Sequence, residues 1–229
     1  MITAAEWSII SLSLHISLVA AIAALPFAVL TAWALSRSPW PGQKALNLLV
    51  LLPLVLPPVV TGYGLLLLFG KQGVLGAALF DLFGITLAFR WTGAALAAAI
   101  MGFPLMVRAI RQAFEAVDPG LEHAAATLGA SRGAVFRTVT LPLIAPGLIA
   151  GFVLGFAKAL GEFGATITFV AAIPGQTETL PSAIYALLQV PGSTAPALRL
   201  IAASAVLAVG ALIVSEWLSA RAIKRVKGI

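Results

Sequence analysis

Long apolar runs, separated by short polar stretches, dominate the chain. Five of them approach the roughly 20 residues that a helix needs to cross about 30 Å of hydrocarbon. They predict an all-α, polytopic membrane helix bundle with about five transmembrane helices, at residues 9–35, 46–69, 91–107, 141–160 and 197–218. An earlier start of the third helix, near residue 85, is left open. The stretch ATITFVAAI, residues 165–173, favours a re-entrant or surface piece, with a sixth span in residues 165–190 as the alternative.

The composition is that of a membrane protein. Hydrophobic residues make up 61% of the 229 and charged residues only 10%, whereas soluble domains contain roughly 25% charged residues. The net charge of +6 does not indicate nucleic-acid binding, because the basic residues flank the apolar runs, where they orient membrane proteins. Cysteine is absent and His15 and His123 are the only histidines, so no metal site is predicted.

Basic residues are concentrated in alternate connections. Arg37 and Lys44 follow the first run, Arg108 to Arg137 lie between the third and fourth runs, and a basic tail follows the fifth. By the positive-inside rule the N-terminus lies outside and the C-terminus is cytoplasmic. The chain is expected to form one membrane domain, residues 1–229, with a cytoplasmic loop at residues 108–140.

The cytoplasmic loop contains a small amphipathic segment, LEHAAATLGASRG. Asp118 and Pro119 suit the start of a helix, and Gly129 suits its end. Between them one apolar stripe recurs at helical spacing: Leu121, Ala124, Ala125 and Leu128. The helix either lies on the bilayer surface or packs against another protein. Its alanines favour the second interpretation, because surface-seeking helices use bulkier apolar residues.

The sequence EHAAATLGASRGAVFRTVTLPLIAPGLIAG, residues 122–151, resembles the EAA loop of permease subunits of binding-protein-dependent ABC importers. In that family the short helix is a coupling helix that sits in a cleft of the ATP-hydrolysing subunit. One departure is that His123 replaces the glutamate six residues before the glycine, with Glu122 one place earlier. The resemblance implies these ATPase-coupling residues: Leu121, Glu122, His123, Ala124, Ala125, Leu128 and Gly129.

Three further segments, residues 52–70, 103–118 and 161–192, resemble the molybdate branch of this family, and the sulfate branch diverges after GEFGA. The resemblance implies a type I ABC importer permease fold and transport of molybdate or tungstate, with sulfate or another oxyanion as the alternative. It also implies a bacterial cytoplasmic (inner) membrane location. The implied partners are a second copy of the chain, ABC ATPase subunits, a periplasmic or extracellular binding protein that meets the outer loops, and membrane lipid.

The chain is expected to be a transport subunit and not an enzyme. It has no GxxxxGK[ST] phosphate loop, so it binds no cofactor itself, and a partner ATPase subunit uses the ATP and Mg²⁺. An intramembrane enzyme would need a paired nucleophile and base, and no GxSxG, HExxH or paired aspartates occur, so no catalytic residue is predicted. An ion-coupled secondary transporter is the runner-up, but inverted repeats are not evident.

Two stretches inside the apolar runs are candidates for the translocation pathway. In LPLVLPPVV, residues 52–60, three prolines must kink or break the second run, either to improve packing or to line a cavity. In GEFGAT, residues 161–166, Glu162 either pairs with Lys158 or acts as a gate or loop-ordering residue, because a carboxylate would repel an anion. The predicted pathway or gate residues are Pro57, Pro58, Thr61, Gly161, Glu162, Phe163, Gly164 and Thr166.

Overall fold

The computed structural model describes residues 2–36 and 40–227, and within residues 222–227 it describes the backbone alone. Every regular element in these ranges is a helix, which confirms the predicted all-α class. The elements are α1 (Ala4–Ser36), α2 (Gln43–Val55), α3 (Pro58–Phe69), α4 (Val74–Phe83), α5 (Trp91–Glu115), α6 (Pro119–Thr127), α7 (Arg132–Val135), a π-helical turn (Phe136–Thr140), α8 (Leu141–Leu160), α9 (Gly164–Val170), α10 (Leu180–Leu188) and α11 (Thr194–Lys227).

The five predicted runs are all helical, but the second is broken. In the described ranges, four helical segments are long and apolar enough to cross a membrane: Ala4–Ser36, Trp91–Glu115, Arg132–Leu160 and Thr194–Arg221. Helices α2 and α3 meet this criterion only as a pair, which is bent by 113°. The described part of the chain therefore has four spans, or five if the bent pair is one.

Two details that the sequence left open are settled. Helix α5 begins at Trp91, so the earlier start near residue 85 is wrong. Residues 165–190 contain α9, with seven residues, and α10, with nine, and both are too short to cross a bilayer. A sixth span is thus absent from this described segment. Arg37, which contributed to the predicted orientation, lies outside the described residues.

Helix α5 is the centre of the bundle and packs against α1 on one side and α8 on the other. Its face contains small residues, and the side chains of Ala94, Ala97 and Ala98 are fully buried. Helix α8 presents glycines to α5 at four-residue spacing, and a Cβ on Gly151 would lie 2.8 Å from Ile110 Cγ1. Small residues at this spacing let two membrane helices approach closely. The resulting van der Waals contact holds the helices together, because the hydrophobic effect does not drive association between helices in lipid.

The break between α2 and α3 follows from the prolines. Leu56 and Pro57 are extended, with ψ angles of 142° and 134°, and Pro58 begins α3 at a position where no N–H is needed. Pro53, by contrast, stays inside α2. The three prolines therefore differ in effect, and the sharp bend belongs to the Pro57–Pro58 pair.

Helix α3 packs closely against the short helix α9. A Cβ on Gly62 would lie 2.8 Å from Ala165 Cα and closer still to the Ala165 carbonyl oxygen. The backbones of the two helices are therefore in contact at this point. Gly64 lies two positions further along α3, and a Cβ added there would have no atom within 4 Å. The glycine at 62 is required by the contact, whereas the glycine at 64 is not.

This pair of glycines gives a direct test of the α3–α9 contact. Gly62→Ala should destabilise the purified protein by about 1–3 kcal/mol, because backbone and not a movable side chain stands in the way. Gly64→Ala is the matched control and should leave the thermal unfolding temperature in detergent unchanged or slightly raised. Equal unfolding temperatures for the two variants would contradict the packing described here.

Candidate functional site: the cytoplasmic loop and the broken helices

The predicted limits of the short helix in the 108–140 loop are confirmed. Asp118 caps the N-terminus of α6, since its Oδ1 accepts a hydrogen bond of 2.8 Å from the Gly120 N–H. At the other end the Ala130 N–H donates to the Ala125 carbonyl at 3.2 Å, and Gly129 has a φ of 88°. This pair of features is a Schellman cap, in which glycine takes the left-handed conformation that other residues resist. Hydrogen bonds between residues close in the sequence thus fix where this helix begins and ends.

Most of the predicted apolar stripe faces outward. No residue of α6 is buried, and Leu121 and the adjoining Leu128 are 49% and 89% exposed. Ala124 is also exposed, and Ala125 is half-buried. Exposed leucines on a short helix form the kind of patch that marks a protein contact. Gly129 is also exposed, so four of these five predicted coupling residues are accessible and Ala125 is half-buried.

Glu122 and His123 lie elsewhere on the same helix. Both line a cavity of about 730 Å³ between α6, the π turn and the C-terminal end of α1, which contributes Trp33. Glu122 Oε1 accepts a hydrogen bond of 2.5 Å from the hydroxyl of Thr140, which is 1% exposed. The sequence reasoning missed Thr140, because nothing local marks a threonine whose partner lies 18 residues away.

Glu162 is the best-defined residue of the candidate pathway. It is 2% exposed, and its Oε2 lies 2.8 Å from Lys158 Nζ. Its Oε1 accepts a hydrogen bond of 3.0 Å from the Ala165 N–H, which is one of the free donors at the start of α9. The carboxylate therefore joins the end of α8 to the start of α9. This geometry suits a loop-ordering residue and agrees with the pairing to Lys158.

The structure brings the two predicted pathway stretches together. A Cβ on Gly164 would lie 2.7 Å from Pro58 Cβ, so the start of α9 lies against the start of α3. Thr166 is buried and donates to the Phe163 carbonyl at 2.9 Å. The hydroxyl oxygen of Thr61 is buried without a hydrogen-bond partner among the described residues. Such a hydroxyl is unusual, because nearly all buried polar groups in proteins make a hydrogen bond.

The remaining predicted pathway residues are accessible. Pro57 and Gly161 are exposed, and Phe163 is half-buried, with its ring 5.1 Å from that of Tyr185. The backbone at Gly62 is in contact with Ala165 of α9, so it is not open to a solute.

Comparison with known proteins decides the family. A family model described as "Binding-protein-dependent transport system inner membrane component" matches residues 3–224. The chain belongs to this family. This inner membrane component is 56% identical to the molybdenum transport system permease protein ModB of Escherichia coli (strain K12), over 96% of each chain. It is 48% identical to ModB of Haemophilus influenzae (strain ATCC 51907 / DSM 11121 / KW20 / Rd), again over 96% of each chain.

A solved structure supports the fold of this inner membrane component. It resembles a chain of a bacterial ABC transporter involved in the import of alginate, with a TM-score of 0.70 and 18% identity. The match covers 97% of the present chain and 80% of the other. At this identity the match shows a shared ABC importer permease fold, which confirms the predicted fold class.

Family membership also confirms the broad function. The protein is a multi-pass component of the inner membrane that takes part in transport and is not itself catalytic. The family implies separate binding-protein and ATPase partners. The roles of individual coupling and pathway residues stay predictions.

The position of Glu162 predicts a stability effect. Glu162→Ala leaves the Lys158 ammonium unpaired and the Ala165 N–H without an acceptor, so it should destabilise the protein by about 2 kcal/mol, measured by thermal unfolding in detergent. Glu162→Gln keeps an acceptor for the amide and should be intermediate. Glu178→Ala is a control, because the Glu178 carboxylate makes no hydrogen bond within the described residues. Wild-type stability of Glu162→Ala combined with loss of transport would contradict the loop-ordering role.

Proposed function

We propose that the chain is the permease subunit of an ATP-driven ABC importer that moves molybdate, and also tungstate, across the bacterial cytoplasmic membrane. The observation that carries this proposal is the similarity to two ModB proteins over nearly the whole chain. Tungstate is included because it is a tetrahedral dianion like molybdate. Sulfate is the alternative cargo. In this proposal the N-terminus is outside and the C-terminus is cytoplasmic.

The exposed end of the cytoplasmic loop is the proposed contact with the ATPase. Leu121 and Leu128 present apolar surface that nothing in the described chain covers. The Schellman cap holds this surface at a fixed angle to α7, because the Gly129 turn is closed by two backbone hydrogen bonds. A rigid helix that contacts a partner can transmit a displacement, whereas a flexible loop would absorb it.

Two copies of the chain are proposed to enclose the pathway. One chain with four or five spans leaves little room for a closed route. Two identical chains related by a two-fold axis would form a closed assembly. Helix α3 supplies a suitable surface, since Val59, Tyr63 and Leu67 are each between 55% and 59% exposed. The break at Pro57 lies on the same helix, so the irregular backbone would line the route and avoid lipid.

The pathway is proposed to be weakly charged. Lys158 is paired with Glu162, so this region presents no uncompensated cation to a passing oxyanion. A fixed unpaired cation at membrane depth would bind a dianion tightly and slow its release. The unpaired hydroxyl of Thr61 offers a weaker, neutral contact. Weak contacts of this kind would let the oxyanion pass through without being retained. Most of the affinity for the oxyanion would then come from the external binding protein.

The outer loop between α9 and α10 is proposed to meet the loaded binding protein. Buried Thr177 organises it, since its hydroxyl accepts from the Ile173 N–H at 2.9 Å and donates to the Ala171 carbonyl at 3.0 Å. The loop thus has a defined shape in the absence of the partner. In the proposed cycle, ATP-driven closure of the ATPase pair displaces both α6 helices, opens the pathway outward for delivery, and reopens it inward on reset.

Transport by the reconstituted complex tests this function. Proteoliposomes that contain the chain with its ATPase and binding protein should accumulate labelled molybdate only when ATP and binding protein are both present. Unlabelled tungstate should compete strongly, and sulfate much less. Uptake driven by a proton gradient without ATP would overturn the importer assignment, and equal uptake of sulfate would reassign the cargo.

A further inference from the structure

Helix α6 has few routes by which to pass a displacement to the membrane. It packs against α7 and the π turn, which continue directly into α8. Helix α8 in turn packs against the central helix α5. A force applied at α6 therefore has two routes into the bundle, back through residues 116–118 to α5 and forward through the segment that joins α7 to α8. The stiffness of the forward junction decides how much of the force reaches α8.

The junction is a π turn, which is a weak point in a helix. The Leu141 N–H donates to the Phe136 carbonyl, five residues back, in place of the usual four. Such turns are single-turn insertions in α-helices and are frequent at functional sites. Because the insertion adds a residue, its loss or migration would rotate α6 and α7 relative to α8. A side-chain tie across the turn would prevent this rotation.

Thr140 supplies such a tie. It is the last residue of the π turn and is 1% exposed. A threonine in a helix often donates to the carbonyl four residues back. The Thr140 hydroxyl instead donates to Glu122 Oε1 at 2.5 Å. A hydroxyl–carboxylate bond of this length is charge-assisted and among the stronger hydrogen bonds in proteins.

Another threonine in the same turn shows the usual arrangement. Thr138 is exposed and donates to the Ala134 carbonyl, four residues back, at 2.8 Å. It therefore stabilises only its own helix. Thr138 and Thr140 have the same chemistry and lie two residues apart, but only Thr140 reaches α6. Comparing variants of the two threonines therefore separates the effect of the bond to α6 from the effect of losing a threonine hydroxyl in this turn.

We propose that Thr140 is a positioning residue for energy coupling, and that Glu122 acts through it on α8 of its own chain rather than on the ATPase. This inference rests on the proposed importer function. The outward surface of α6 contacts the partner, and the Glu122–Thr140 bond on the opposite side locks α6 to α8 across the π turn. The displacement of α6 then moves α8 and is not lost in rotation of the turn.

The number of molybdate ions transported per ATP hydrolysed tests the proposal. Thr140→Val keeps the shape and removes the hydroxyl, so the transport ratio should fall on the order of tenfold while the ATPase still co-purifies and hydrolyses ATP. Thr140→Ser should restore the ratio, and Thr138→Val should behave as wild type. Glu122→Ala lies outside the membrane and provides a second variant, with the same expected loss and unchanged ATPase binding.

Combining the two substitutions sharpens the test. Glu122→Ala with Thr140→Val should reduce the ratio no further than Glu122→Ala alone, because Glu122→Ala already removes the bond that Thr140→Val removes. A wild-type ratio for Thr140→Val, or loss of ATPase binding on Glu122→Ala, would overturn the inference. Failure of the wild-type complex to transport with ATP would instead overturn the proposed function, so the two failures are distinct.

Discussion

A bilayer offers no hydrogen-bond partner to a free backbone N–H or carbonyl, and this constraint shapes the whole chain. Where the helices break, the freed groups are satisfied inside the protein. Pro58 has no N–H to satisfy, Glu162 accepts the Ala165 amide at the start of α9, and Ser13 accepts the Leu180 amide at the start of α10. The broken helices α3 and α9 also lie against each other. The breaks between the helices are therefore compatible with a membrane-spanning bundle.

Helix α6, the proposed coupling helix, depends on its ends more than on burial. Helix α6 has nine residues and no buried face, so burial contributes little to its stability and its two caps contribute much. Asp118 and the Gly129 turn supply those caps. A helix of this kind leaves its apolar residues free for a partner, which is a suitable arrangement for a subunit that has no phosphate-binding loop of its own.

The features that the sequence predicted well are those with local signals. The apolar runs marked the long helices, and Asp118, Pro119 and Gly129 marked both ends of α6, because caps depend on residues within one turn. The features that it missed depend on distant contacts. The α3–α9 backbone contact and the Glu122–Thr140 bond each join segments that are remote in the sequence. The 113° bend, in contrast, lies at the proline pair, where the sequence predicted a kink or break. The pathway residues were taken from two separate stretches, and the contacts between those stretches became visible only in the fold.

The central claim is that nucleotide drives the movement of α6. Because the chain has no cysteine, Thr127→Cys at the exposed end of α6 gives one spin label per copy. Pulsed electron paramagnetic resonance on the complex with cysteine-free partners then measures the distance between the two copies. The account predicts that this distance shortens by several ångströms when ATP binds and recovers after hydrolysis. An unchanged distance distribution during active hydrolysis would contradict it.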